Sequence, residues 1–294
     1  MEKSKGLESV FRLLPACIAD NIRGMDLSFD EIRLRIGRPV TLTTSSGQKS
    51  VGGYTVTEDD IEIVMTRALK NSVHSSAKQL RAGYVSFENG CRVGFAGTYA
   101  EKDGAVTNIR LINSVCIRVP REVKGCASDI FCKCFSDRPS SVLIFGAPSS
   151  GKTTILRDLT RMCGMVYRTT LIDERGELAA VYLGRPMNDV GLLTDVFDKY
   201  PRKNAIETAV RVMSPQIIVC DEIGSSEDVL SLTYALDSGV KLVCSCHCDS
   251  FEELNSKANI CELLSAGIFD YTVHLDKNRN ISIKCRGHRQ CLNL

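Results

Sequence analysis

The sequence predicts an α/β protein: a parallel-rich central sheet with crossover helices, preceded by a smaller α+β domain. Three observations carry this. Strand candidates recur from residue 141 to 276 with helical stretches between them; these strands are continuously apolar; and the first 125 residues hold shorter strands punctuated by turn signals. Continuously apolar strands joined by helices fit a parallel sheet buried on both faces.

Taken in order, a helix is expected from about Leu7 to Arg23, then a strand at Glu31 to Ile36, a turn at Gly37-Arg38-Pro39 and a second short strand. Thr57 is placed to cap a helix running to about Asn71, with Glu58, Asp59 and Asp60 in its first turn. Short strands follow at Gly83 to Glu88, Arg92 to Thr98 and Ser114 to Val119, the first two joined by the hairpin signal Asn89-Gly90. The domain is read as residues 1–125, a connection as 126–140, and the second domain as 141–294. Its strands are Val142 to Phe145, Thr169 to Ile172, Ile217 to Cys220, Leu242 to Cys246 and Tyr271 to Leu275, and the chain closes with a basic piece holding Lys284, Arg286 and Arg289.

Composition narrows the function classes. The chain has 294 residues, 44% hydrophobic and 24% charged, and a net charge of +2, so no overall field draws it to nucleic acid. No stretch is long and apolar enough to span a bilayer, and the first residues lack the apolar core of a signal peptide, so a cytosolic protein is expected. Its 14 cysteines are then expected as thiols. The cluster Cys244-Ser245-Cys246-His247-Cys248 and the pair Cys132/Cys134 invite a metal reading, but clustered ligands on one strand do not close a tetrahedral site without a second loop.

Chemistry concentrates at the ends of the apolar strands. Gly146-Ala147-Pro148-Ser149-Ser150-Gly151-Lys152-Thr153 directly follows the first of them and matches a phosphate-binding loop. Its backbone N–H groups are expected to converge on phosphates, with Lys152 neutralising charge, the Thr153 hydroxyl available to Mg²⁺, and the helix from Thr154 aiming its positive end at the anion. Ile217-Ile218-Val219-Cys220-Asp221-Glu222 reads as a Walker B strand, Asp221 placed for the Mg²⁺ shell and Glu222 for the attacking water. A second strand ends in Asp173-Glu174-Arg175-Gly176-Glu177, and paired acidic strand ends favour hydrolysis by water over transfer to a metabolite; the plainer alternative is that these acids cap the following loop. His247 ends the next strand, as a γ-phosphate sensor or as an ordinary structural histidine. With no Asn-Lys-x-Asp element for guanine, ATP is the expected nucleotide.

These motifs, in this order, resemble the stage III sporulation protein AA family. The resemblance rests on the phosphate loop, Leu171-Ile172-Asp173-Glu174-Arg175-Gly176-Glu177-Leu178, Met213-Ser214-Pro215-Gln216, Asp221-Glu222-Ile223-Gly224 with Glu227-Asp228, Ser238-Gly239-Val240, and His247. Glu31-Ile32-Arg33-Leu34-Arg35-Ile36-Gly37-Arg38-Pro39 is similar to the family's opening segment, so the likeness covers nearly the whole chain. It implies a RecA-like P-loop ATPase core related to type II and type IV secretion motors, with ATP and Mg²⁺ as cofactors. It also implies a homo-oligomeric ring, a hexamer by analogy, in the mother cell of endospore formers. There the ring would sit at the membrane through membrane proteins of the mother cell–forespore channel. By the same resemblance Asp173 to Glu177 occupies the Asp box, making Glu174 or Glu177 the candidate base, and His247 the His box. Two positions depart from the secretion motors: Ser245 replaces the threonine usual before that histidine, and Gly224 an arginine of Walker B. A neighbouring subunit's arginine finger would come from Arg110, Arg118, Arg202 or Arg211. The competing classes are a nucleic-acid-dependent ATPase, for which the absence of Trp and 6% aromatic content give little stacking surface, and a nucleotide-gated assembly scaffold with slow turnover.

Overall fold

Alternating apolar positions at Ile32, Leu34, Val93, Phe95, Val115 and Ile117 give the first half of the chain one buried sheet face. The computed structural model describes residues 3–25, 28–69, 83–102, 105–119, 123–286 and 292–293. Strands β1 (Glu31–Arg35), β2 (Pro39–Thr44), β3 (Gly47–Thr55), β4 (Tyr84–Ser86), β5 (Arg92–Lys102) and β6 (Ala105–Arg118) form a sheet in the order β3-β2-β1-β6-β5-β4. Every pairing in it is antiparallel. Asn89 (φ 53°) and Gly90 (φ 76°) turn the chain between β4 and β5, as the dipeptide predicts. Thr57 caps the helix Glu58–Leu69: Asp60 N–H donates to its Oγ1 at 3.3 Å, and Thr57 N–H donates back to Asp60 Oδ2 at 2.9 Å. The expected end of this helix at Asn71 lies outside the described residues.

The expected helix Leu7 to Arg23 is two helices, Lys3–Leu13 and Ala16–Arg23. Pro15 (φ −52°, ψ 145°) separates them, because it has no N–H to continue the first helix and its ring disfavours helical backbone before it.

The second half carries β7 (Val142–Gly146), β8 (Thr169–Asp173), β9 (Thr194–Asp198), β10 (Ile217–Cys220), β11 (Lys241–His247), β12 (Tyr271–Leu275), β13 (Ile281–Cys285) and β14 (Leu292–Asn293). Their order is β14-β13-β12-β7-β11-β10-β8-β9. From β12 to β9 all neighbours are parallel, and β13 and β14 add antiparallel pairs at one edge. Leu143, Phe145, Ile218, Cys220, Leu242 and Cys244 face one buried cluster, while Val142, Ile144, Leu171, Val219, Val243 and Val273 face another. Two covered faces explain why these strands read as unbroken apolar runs. Strand β9 was not among the expected ones: Thr194-Asp195-Val196-Phe197-Asp198 is half-polar, and its position at the sheet edge tolerates that.

The chain divides into two compact units, one of Met1–Glu122 with Tyr182–Met187, the other of Val123–Val181 with Asn188–Leu294. The first is therefore discontinuous: Tyr182 packs with its core, its ring 5.7 Å from that of Phe87. The stretch 126–140, expected as a connection, contains the helix Ser128–Phe135, whose Ile130, Cys134 and Phe135 are buried in the second unit's core. Of the basic closing piece, Lys284 lies over the Phe251 ring at 3.3 Å and Arg286 donates to the Gly267 carbonyl at 2.6 Å; Arg289 lies outside the described residues.

Candidate nucleotide site

Parallel alignment brings the carboxyl ends of β7, β8, β10 and β11 to one edge of the sheet, where open α/β sheets bind ligands. Gly146 pairs with His247 of β11 and Leu275 of β12. Cys220 pairs with Cys244 and Ile172, so the acids after β10 and at the end of β8 lie side by side. The His247 strand stands between the phosphate-loop strand and the Walker B strand.

The phosphate loop is shaped by its glycines. A side chain on Gly146 would strike the Leu275 carbonyl and would sit 2.7 Å from Ser150 Oγ. Ser149 (φ 64°) and Gly151 (φ 104°) take left-handed conformations that bend the loop sharply, and Ser150 N–H donates to the Ala147 carbonyl at 3.2 Å. Lys152 opens the helix Lys152–Val166, followed by half-buried Thr153 and Thr154. The Lys152 ammonium, 5% exposed, donates to the carbonyls of Gly146 and Ala147 at 2.8 Å each. Burial holds its pKa below the ordinary lysine value against the opposing pull of Cys246, Glu222, Asp221 and Asp249. Ser150 Oγ is buried without a hydrogen-bond partner among the described residues. A loop with two left-handed positions, a buried hydroxyl and a buried ammonium fits a triphosphate, and Thr153 with Asp221 offers the oxygen ligands that Mg²⁺ prefers.

Asp221 and Glu222 are set by Ser245. Its hydroxyl donates to Asp221 Oδ1 at 2.5 Å and accepts from Glu222 N–H at 3.0 Å, and Glu222 N–H also reaches Asp221 Oδ1 at 3.0 Å. Glu222 has φ 44°, a left-handed backbone that is costly for a residue with a side chain. The turn aims its carboxylate at two groups: Oε1 meets His247 Nε2 and Oε2 meets the Arg175 guanidinium. Glutamate, histidine and the arginine of the acidic loop thus form one cluster.

The acids after β8 separate by role. Asp173, 1% exposed, accepts from the N–H groups of Glu177, Leu178 and Ala179 at 2.8–3.0 Å, so it caps its own loop. Burial raises its pKa in spite of those bonds. Glu174 faces Arg202 at 2.5 Å and lines, with Arg175, Arg202, Asp221, Glu222 and Asp228, a cavity of about 370 Å³. The Glu177 carbonyl accepts from Arg157 at 2.8 Å.

Among the arginine candidates, Arg202 is turned inward, 13% exposed and paired with Glu174 and Asp228. Arg211 stands exposed on a π-helical turn, Ala209–Met213. Arg118 is two-thirds exposed and donates to Glu31. The Arg110 side chain lies outside the described residues. Among the described residues no group of His, Cys, Asp or Glu is arranged to hold a metal on its own, and Cys244, Cys246 and Cys248 are buried thiols. Sequence reasoning missed the hydroxyl bridge of Ser245, the Arg175–Glu222 pair and the inward role of Arg202. The Ser225-x-x-Asp228 spacing is the signal that could have placed Asp228: the two form a reciprocal capping box.

The sequence profile described as "Sporulation stage III, protein AA" matches residues 6–287. The chain belongs to that family. It is 32% identical over 284 residues to "Stage III sporulation protein AA" of Bacillus subtilis (strain 168), covering 90% of this chain and 92% of that protein. Two solved structures share the fold of this family member at 14% identity. The Legionella pneumophila ATPase DotB superposes with a TM-score of 0.60 over 90% of this chain and 76% of its own. The pilus retraction motor PilT with bound ADP gives a TM-score of 0.60 over 93% and 83%. The second unit is therefore an α/β core of RecA-like fold, and the first is a smaller α+β unit. Among the described residues no helix is long and apolar enough to cross a membrane.

Proposed function

We propose that this protein is an ATP-hydrolysing motor that powers or assembles the transport channel between mother cell and forespore during endospore formation. It would work as a homo-oligomeric ring, hexameric by analogy with secretion motors, held at the mother-cell side of the membrane by channel proteins. The observation that carries the ATPase reading is the Glu222 cluster beside the phosphate loop: a carboxylate aimed by a left-handed turn, paired with the histidine of the strand between loop and Walker B. The assignment to sporulation is supported by family membership, and the motor reading by the likeness to DotB and PilT.

In this mechanism Lys152 exchanges the carbonyls of Gly146 and Ala147 for the β- and γ-phosphates, which join the N–H groups of Ala147 and of Ser149 to Thr154. Thr153 and Asp221 would hold Mg²⁺, and Ser245 orients Asp221 for it. Bound Mg²⁺ supplies charge neutralisation at the transferring phosphoryl group. Glu222 releases Arg175 to accept a proton from the attacking water, while His247, its partner in the free enzyme, follows the γ-phosphate. Glu174 lines the same edge as a further acid, Glu177 follows it in the acidic loop, and Arg211 is the arginine offered across the subunit boundary.

The test is Mg²⁺-dependent ATP hydrolysis by wild type and by Lys152→Ala, Glu174→Ala and Glu222→Ala, with single-stranded DNA and RNA added in parallel. Turnover that is lost in Lys152→Ala and Glu222→Ala and indifferent to nucleic acid supports the motor. Strong stimulation by either nucleic acid would move the protein to the nucleic-acid-dependent class.

A further inference from the structure

Arg202 opens the short helix Arg202–Thr208, after β9, yet its guanidinium reaches back into the Walker B edge. Nη1 donates to Asp228 Oδ1 at 2.6 Å and to the Glu222 carbonyl at 3.3 Å; Nη2 donates to Glu174 Oε2 at 2.5 Å and to the Asp221 carbonyl at 2.7 Å. The Arg202 backbone N–H completes the grip on Glu174 through Oε1 at 3.0 Å. One planar cation thus ties together the acidic loop after β8, the end of the Walker B strand and the first turn of the helix Ser226–Asp237.

That geometry argues against a finger across a subunit boundary. To reach a neighbour's phosphate, Arg202 would leave Glu174 and Asp228 without their cation, and the Asp228 side chain is only 12% exposed. It fits a different task. Two successive carbonyls, of Asp221 and Glu222, point at the same guanidinium, and Glu222 between Asp221 and Ile223 sits at φ 44°. A planar fork that binds both carbonyls stabilises that left-handed turn, and the turn aims the Glu222 carboxylate at His247. We propose that Arg202 is a positioning residue within its own subunit, holding the backbone of Asp221 and Glu222 in the conformation that presents both carboxylates to nucleotide, metal and water. The inference rests on the ATPase reading of the site given above.

The test uses the full chain with Arg202→Gln, measured for kcat and KM, for equilibrium binding of a fluorescent ATP analogue with and without Mg²⁺, and in mixtures with Lys152→Ala. Arg202→Gln is expected to lose about 100-fold in kcat with metal-free nucleotide binding retained, and to lose most of the affinity gained on adding Mg²⁺. Mixing it with Lys152→Ala is expected to restore nothing, because each defect stays in its own site. Recovery of turnover on mixing would overturn the inference, since an intact arginine from a neighbour would then be completing the site. Unchanged kcat in Arg202→Gln would overturn it as well. If the wild type hydrolyses no ATP, the functional reading fails instead, and the Mg²⁺-dependent gain in binding decides: an equal gain in wild type and variant rejects the positioning role. Should Arg202→Gln not fold, Arg202→Lys, Glu174→Gln and their double variant replace it. A double variant no slower than the worse single supports one shared device, while independent or absent losses reject it.

Discussion

Lys152, Asp173 and Glu222 show how far a residue's role depends on its immediate partners. All three lie in motifs, but Lys152 rests on its own loop's carbonyls, Asp173 on three N–H groups, and Glu222 on a cation and a histidine. Lys152→Ala is expected to abolish binding of a fluorescent ATP analogue, because the neutral loop loses the charge that offsets the phosphates. Glu222→Gln should keep that binding and lower kcat by about 100-fold or more, read in a steady-state assay, since the amide cannot take a proton from water. Asp173→Ala behaves differently: it leaves the N–H groups of Glu177, Leu178 and Ala179 buried without an acceptor and should cost about 3 kcal/mol of stability in urea unfolding. Asp173 caps its own loop, the plainer of the two readings of this acidic run, and the sequence of its neighbours Glu174 to Glu177 does not reveal that the strand end buries the first acid alone.

At the scale of elements, glycine contacts and a capping box fix how helices meet the sheet. Gly164 near the end of the helix Lys152–Val166 sits against the loop before β9, where an added methyl would meet Thr194 Oγ1 and lie 2.5 Å from the Val190 carbonyl. Gly164→Ala should lower stability by about 2 kcal/mol, measured by thermal unfolding, because backbone cannot yield as a side chain does. Asp228 gives a pH signature. Burial raises its pKa, but the Gly224 and Ser225 N–H groups and the Arg202 guanidinium outweigh burial and hold the carboxyl below the ordinary aspartate value. Its stabilising contribution is therefore present above the unfolded pKa of about 3.9 and is lost as pH falls through the lower folded value. Asp228→Asn should remove that part of the acid sensitivity in a series of unfolding curves from neutral pH down to about pH 3. Strand β9 and the helix Ser128–Phe135 escaped the reading at this scale, the first because edge strands need no apolar run, the second because a short helix between Pro120 and Pro139 looks like linker.

For the whole molecule, two units and an exposed π-helical turn set the expectation for assembly. Arg211 projects from that turn beside Val212, which is 65% exposed. Arg211→Ala is expected to abolish turnover while leaving nucleotide binding intact, and mixing it with Lys152→Ala should recover some activity, the opposite of the result expected for Arg202. Normal turnover in the Arg211 variant would remove it as the arginine offered between subunits.

The sequence by itself determined the class of fold and pointed to the strand ends proposed for the phosphate chemistry, because apolar runs, glycine turns and acidic strand ends are local patterns written over a few residues. The Pro15 break, the first unit's excursion through Tyr182–Met187 and the partner of each charge were decided only in three dimensions. Register between parallel strands places Ser245 beside Asp221, and a chain reversal more than 20 residues long returns Arg202 to Glu174. Such pairings depend on distances that close only when the sheet is assembled, and Arg202, one of four arginines read as candidate fingers, is found paired within its own chain.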